Sequence, residues 1–526
     1  MKRGRTVRFL AIAGLSCVLA VSTGCRTSDD DVHRWANTSQ GPRKLVAVLI
    51  HDKYPIELRV EAALTLVRMK PRSGRRLGIQ GTDEQVGLIG ALAQMAPPAR
   101  TTLVGKLLPQ LLAEIAKPAP VAQPGQPIPT DESVPYKDAA FAILTYEDGA
   151  LMPDEAERKA VRAALAQWCS TNFSDRMDDS SQLYGIEQML RELKADGVRA
   201  LPSLIVPGAT KIDRMADLIA DFGDADTKLR ASEKLVAVAS DTSSDKWIKQ
   251  KTPAVEAANK ASKLNPNADQ LKAQVAAFQE EELLRDFGSM KKIGGKPVVE
   301  FLLNFAQNKA YAEKRRAAAL AALQGNLDKN NPSHAQIILT IAADSATPDA
   351  VRDVALQRVG EFPRSVVVGH LFELFKSDAW KVRWVAAELV LKMSDASQIP
   401  EFMSKLGQAE GMALTEPLSY GGLLADLKGT PSPTEIADKY AAPNNPVQDR
   451  LTALGFYYAT GTAAMLSKVE PYAKDKEPTP KCKPDAKECE WKCTVHGAGG
   501  DETKDVKTVG DFVELCVTPA MQKRTK

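Results

Sequence analysis

Between about Val298 and Met393 one helix-length pattern occurs three times, and few chains can satisfy it except by stacking helices. The copies begin Glu313-Lys314-Arg315-Arg316, Asp349-Ala350-Val351-Arg352 and Trp380-Lys381-Val382-Arg383, and each runs into an alanine-rich apolar face. With Arg383 as reference, Val382, Val385, Ala386, Leu389 and Val390 recur at the spacings of a single helix face. Arg352 aligns Val351, Val354, Ala355 and Val359 with the same slots, and Arg316 aligns Ala318, Ala319 and Leu323. An apolar helix precedes each copy: Val298-Leu302-Phe305, Ile337-Ile338-Ile341 and Val368-Leu371-Phe372-Phe375. Neither helix of such a pair hides its stripe alone, so neighbouring pairs must stack.

The reference arginines are 36 and 31 residues apart. The same mark recurs outside this stretch, at Arg59 with Ala62, Ala63 and Leu66, and at Arg162 with Ala164, Leu165 and Cys169. Arg230 with Leu235 and Val236, and Arg450 with Ala453, Leu454 and Tyr457, extend it further. A chain of 526 residues is too long for one compact core, whereas a repeat array grows in one dimension.

A Val-Arg opening the second helix, with Asp378 near the inter-helix turn, resembles HEAT-like repeats. That resemblance implies an all-α fold, an α-solenoid of antiparallel helix pairs whose surface binds a protein or peptide. The expected organisation is helical repeats over 42–117, a Pro-rich linker over 118–135 and the main array over 136–475. The run ending at Pro266 is similar to the end of a tetratricopeptide unit, a change of repeat family but not of architecture. Trp380 and Trp384 bracket the third Val-Arg pair, where they either pack on the adjacent repeat or anchor a partner.

The N-terminus carries an address. Lys2, Arg3, Arg5 and Arg8 precede an apolar run from Phe9 to Val21, which ends in Ser22-Thr23-Gly24-Cys25. Residues 1–24 resemble a bacterial lipoprotein signal, which implies lipidation of Cys25 and attachment to a membrane through that lipid. Because Arg26 follows, the resemblance points to the periplasmic face of the outer membrane. Residues 25–41, with Asp29-Asp30-Asp31 and no apolar period, read as a flexible tether reaching about 50 Å.

Six prolines between Pro118 and Pro135 mark the extended linker. From about residue 476 the chain changes character, and four of its seven cysteines, Cys482, Cys489, Cys493 and Cys516, fall there. In an exported protein these read as two disulfides with three possible pairings, stapling a C-terminal cap over 476–526. Trp491 to Val495 fits a strand, and Thr508 fits the cap of a helix carrying Val509, Phe512, Val513 and Cys516. Zinc on Cys482, Cys489, Cys493 and His496 is the competing use, but the spacing matches no standard finger. Cys169 sits in an apolar slot and reads as a buried thiol.

With 69 Lys and Arg against 66 Asp and Glu, no basic footprint for nucleic acid exists. No Gly-x-Ser-x-Gly, phosphate loop or His-Glu-x-x-His is present, and His370 reads as a core histidine. The expected function is a non-catalytic, lipid-anchored protein-binding scaffold of the bacterial envelope, without cofactor or metal. The alternatives are a structural spacer and, through some HEAT-like relatives, a lyase-like enzyme or enzyme subunit.

Overall fold

The computed structural model describes residues 27–71, 75–120, 129–344, 346–375, 377, 380–408, 421–427, 430–479, 491–497 and 500–524. Cys25, Asp378, Cys482 and Cys489 lie outside these residues. The chain divides into two compact units, Met1–Lys234 and Leu235–Lys526. Among the described residues no helix is long and apolar enough to cross a membrane.

The first unit corrects the expected tether. Asp29–Trp35 is a helix, α1, because Ser28 caps it reciprocally: its hydroxyl accepts from the Asp31 N–H and the Asp31 carboxylate accepts from the Ser28 N–H. The three aspartates occupy the first turn, where negative charge complements the helix dipole, and Val32 is fully buried against the next helices. Gly41 then opens α2 (Gly41–Ile50), at a place where a Cβ would lie 1.9 Å from the Trp35 carbonyl oxygen. The helix α3 (Ile56–Arg68) pairs with α2, entered through Pro55. Pro97 and Pro98 start α4 (Pro97–Ile115), since prolines at the first turn forfeit no intrahelical bond.

Part of the expected linker is also built in. Asp131 and Ser133 are buried, and the Pro129 carbonyl accepts from the Arg176 Nη2 at 2.9 Å. The helices α5 (Val134–Thr145) and α6 (Glu155–Arg176) follow, with α7 (Ile186–Leu193) and α8 (Ala195–Val198) packed on α6, and then α9 (Ile212–Phe222). The unit boundary falls inside α10 (Ala225–Thr242), an uninterrupted helix.

The second unit continues with α11 (Asp245–Ala261), α12 (Ala268–Ile293), α13 (Lys296–Gln307), α14 (Glu313–Ala322), α15 (Pro332–Ala343) and α16 (Asp349–Val359). Then come α17 (Arg364–Leu374), α18 (Trp380–Lys392) and α19 (Ile399–Gln408). First helices pack on first helices (α13 on α15, α15 on α17), and second on second (α14 on α16). Within pairs, α13 lies on α14, α15 on α16 and α17 on α18. This is a helical-repeat architecture of antiparallel pairs.

The repeat arginines have a common physical cause. Arg316 Nε donates to the Ala306 carbonyl at 2.8 Å, and Arg59 Nε to the Leu49 carbonyl at 2.9 Å. Arg352 reaches the carbonyls of Ala342, Asp344 and Thr347, while Arg383 donates to the Ser377 carbonyl at 2.6 Å. All four side chains are buried. Leu49, Ala306 and Ala342 each lie one residue before the end of the pair's first helix, where carbonyls lack intrahelical partners and the dipole is negative. The arginine of the second helix therefore caps the first. Arg162 and Arg230 do not share this role. Both are half-buried, and Arg230 bonds Asp226 and the carbonyl of Arg199, the residue at the C-cap of α8 and not of the first helix of its own pair. Arg450 is buried in α21 (Val447–Thr460), which packs on α20 (Pro433–Ala441), but it pairs with Asp475.

The cap forms as expected. The strand β1 (Lys492–Gly497) pairs antiparallel with β2 (Gly500–Asp505), and Cys493 is bonded to Cys516. Thr508 caps the helical segment Val509–Phe512 in a reciprocal box with Asp511. Val509, Phe512, Val513 and Cys516 are all buried. The cap docks on α21 through helical packing, and the Arg524 carbonyl accepts from the Ala463 N–H at 3.0 Å.

Candidate functional site

A cleft of about 790 Å³ lies within the first unit. Its long wall is one face of α6, whose start is fixed by Asp154 accepting from the Glu157 N–H at 3.0 Å. Arg158, Lys159, Arg162 and Ala166 from that face line it, spaced as successive turns require. Glu192, Lys194 and Asp196 form the opposite wall from α7 and α8, and Asp148 closes one end beyond α5.

The charges sort into paired and unpaired sets. Arg158 Nε lies 2.9 Å from Glu155 and its Nη1 donates to the Met152 carbonyl, while Arg199 lies 3.8 Å from Asp224. Among the described residues Lys159, Arg162 and Lys194 form no ion pair, and neither do Asp148, Glu192 and Asp196. Among the described residues the charges left without an ion pair in the cleft are thus three of each sign. The cleft suits a polar, mixed-charge chain better than an apolar ligand, because a small-molecule pocket needs apolar walls.

Backbone strain borders the same cleft. Lys194 has φ 54° and ψ −131°, a conformation open to glycine and costly for a side chain, and it joins α7 to α8. Asp148 (φ 54°) and Glu147 (φ 41°) are left-handed. Strain of this kind costs about 1–3 kcal/mol per residue and persists where the surrounding structure enforces it. The periodicity that flagged Arg162 as a repeat mark did not single it out as a cleft residue. Nothing in the local pattern marked Lys194.

A second set of polar residues, buried and not open, was invisible in the sequence. Lys137 and Asp138 are fully buried neighbours with Nζ–Oδ1 at 2.7 Å, and Arg76 Nε lies 3.1 Å from the other carboxylate oxygen. Asp138 also accepts from the Leu183 and Tyr184 N–H groups, and Lys137 donates to the Tyr184 carbonyl. Burial pulls the Lys137 ammonium below its ordinary value while Asp138 opposes the shift. Enclosed on all sides, this cluster stitches α5 to the 181–184 loop and offers no access to a substrate. Cys169 beside it is a free, buried thiol pushed up to about 12 by desolvation.

The remaining candidates are scattered. His33 Nε2 lies 2.7 Å from Glu61, which also accepts from Arg68 at 2.8 Å. The Trp35 ring lies under the Lys44 ammonium, 5.2 Å away. His370 is exposed on α17, correcting the expected core role: the buried face there is Val367, Leu371, Phe372 and Leu374. Trp384 is half-buried in α18, and Trp380 opens that helix. Among the described residues no group of three or more His, Cys, Asp or Glu is placed to hold a metal ion.

No family model matches the chain, and no curated protein matches it. Among solved structures, a chain of the complex in which Kap95p binding induces the switch loops of RanGDP to adopt the GTP-bound conformation is 14% identical. That alignment covers 85% of this chain and 63% of the other, at a TM-score of 0.22. A likeness of that size carries no argument about partner or mechanism, and the helix-pair architecture rests on the packing described above.

Proposed function

We propose that this chain is a non-catalytic protein-binding scaffold that holds a mixed-charge segment of a partner protein along α6. The observation that carries the proposal is the open cleft with three cations and three anions that form no ion pair among the described residues, walled by the strained Lys194. In this reading the chain is anchored through lipid on Cys25 at the periplasmic face of the outer membrane, a placement supported by the Lys2-to-Cys25 signal pattern. Trp380 and Trp384 serve as a further partner contact on the second unit.

The test is a photo-crosslinking residue placed at Gln167, on the cleft wall, in cells making the full chain, with adducts identified by mass spectrometry. One recurrent envelope protein, lost when Arg162→Glu and Lys194→Glu are introduced, supports the scaffold. Capture that is unaffected by both substitutions overturns the cleft as the binding site, and no capture at all moves the reading to a structural spacer.

A further inference from the structure

The distance from Cys25 to folded structure is short. Ser28 already caps α1, so three peptide steps separate the cysteine from the first helix. At roughly 3.3–3.6 Å per residue that is about 11 Å of chain when fully extended. One headgroup layer is about 5–7 Å thick, and a diacylglycerol on Cys25 starts beneath it. A lipid there leaves α1 and α2 no room to stand away from the bilayer.

The surface held at that depth has a definite chemistry. Between Thr27 and Tyr54 lie four cations (Arg34, Arg43, Lys44 and Lys53) and four aspartates (Asp29, Asp30, Asp31 and Asp52). Arg43, Lys44, Lys53, Asp29, Asp30 and Asp52 are exposed. Trp35 and Tyr54 are half-buried, each with a lysine ammonium over its ring, at 5.2 Å from Lys44 and 4.9 Å from Lys53. Aromatic rings flanked by lysine are the residues that settle at headgroup level. A strongly anionic lipid would favour a cationic face, whereas this one is balanced.

We infer that the α1–α2 end of the first unit is a membrane-contact face, laid against zwitterionic phospholipid headgroups by the lipid on Cys25. Carboxylates meet headgroup ammonium groups, and Arg43 and Lys44 meet phosphates. The inference rests on the anchoring part of the proposed function and adds an orientation: the first unit lies on the bilayer instead of reaching from it.

The experiment uses the mature lipoprotein, purified from membranes and reconstituted in phosphatidylcholine vesicles, with the Cys25→Ala secreted chain as soluble reference. Flotation and the N-terminal mass report anchoring, while the acetylation rate of Lys44, read by mass spectrometry, reports contact. Expected are an acylated, floating protein in which Lys44 reacts at least about fivefold more slowly than in the reference, insensitive to salt. A variant with a 20-residue Gly-Ser insertion after Arg26 returns Lys44 towards the reference rate. An acylated, floating protein with Lys44 at the reference rate overturns the contact face and leaves the anchor standing. Protection that survives the insertion overturns the argument from chain length, and an unacylated chain that does not float overturns the anchor and the inference with it.

Discussion

Arg316 occupies a position where a charge is buried because a helix end needs it. Its guanidinium satisfies the Ala306 carbonyl at the end of α13 at 2.8 Å, so truncation leaves a buried acceptor without a donor. Arg316→Ala is expected to cost about 2 kcal/mol, seen as a lower midpoint in urea unfolding, and Arg316→Lys restores little because a single ammonium lacks the planar reach. Arg162→Ala, at a half-buried cleft residue without an ion pair, leaves the midpoint within about 0.5 kcal/mol. A second residue-scale effect sits at Asp286, buried on α12 and bonded to the Thr242 hydroxyl at 2.9 Å. Desolvation raises its carboxyl from the usual 3.8 to about 7. A raised folded-state value means the stability it supports is fully present below the unfolded value and is lost as pH rises through about 7. Asp286→Asn should therefore gain on the native chain between pH 4 and 8, by a difference on the order of 4 kcal/mol at most. Parallel unfolding curves across that range check it, and a pH-independent difference would refute the burial account.

At the scale of elements, local signals explain which helices could be read. The stripes of α13 to α18 were legible because each has one buried face at helical spacing, and Thr508 was legible as a cap because its box with Asp511 is local in sequence. The α1 helix was missed although Ser28-x-x-Asp31 is an equally local box. An acidic run with a single buried residue, Val32, resembles solvated chain by composition, and only its docking on α2 and α3 makes it a helix. The α7–α8 junction was illegible for another reason, since a lysine at φ 54° and ψ −131° is enforced by what surrounds it and contradicts local preference. Lys194→Gly should raise stability by about 1 kcal/mol through relief of that strain. In the proposed scaffold the same change weakens partner capture by removing one of the cleft cations. A stability loss in thermal melts would mean the Lys194 side chain makes a contribution that its backbone geometry does not reveal.

At the scale of the whole molecule, composition marked the cap but not the division into units. The cap announces itself by clustered cysteines, whereas the boundary at Lys234 and Leu235 lies inside α10, where no Pro or Gly interrupts the helix. The cap is then held by three kinds of interaction. The bond between Cys493 and Cys516 ties β1 to the terminal helical segments, the Gly510 N–H donates to the Asp475 carbonyl at 2.9 Å, and Asp475 pairs with Arg450 of α21. Closing a loop across a sequence separation of 23 removes unfolded-state freedom equivalent to about 3 kcal/mol. The buried Phe512 and Val513 keep their places only while the segment is docked. Replacing Cys493 and Cys516 together by Ser should therefore make the cap the first part of the second unit to open. Limited proteolysis under non-reducing conditions is expected to cut the double variant within residues 491–524 before any other site, and reductant should bring the native chain to the same pattern. Cleavage that begins elsewhere in the double variant, or a native chain whose pattern ignores reductant, would show that packing on α21 holds the cap without the disulfide.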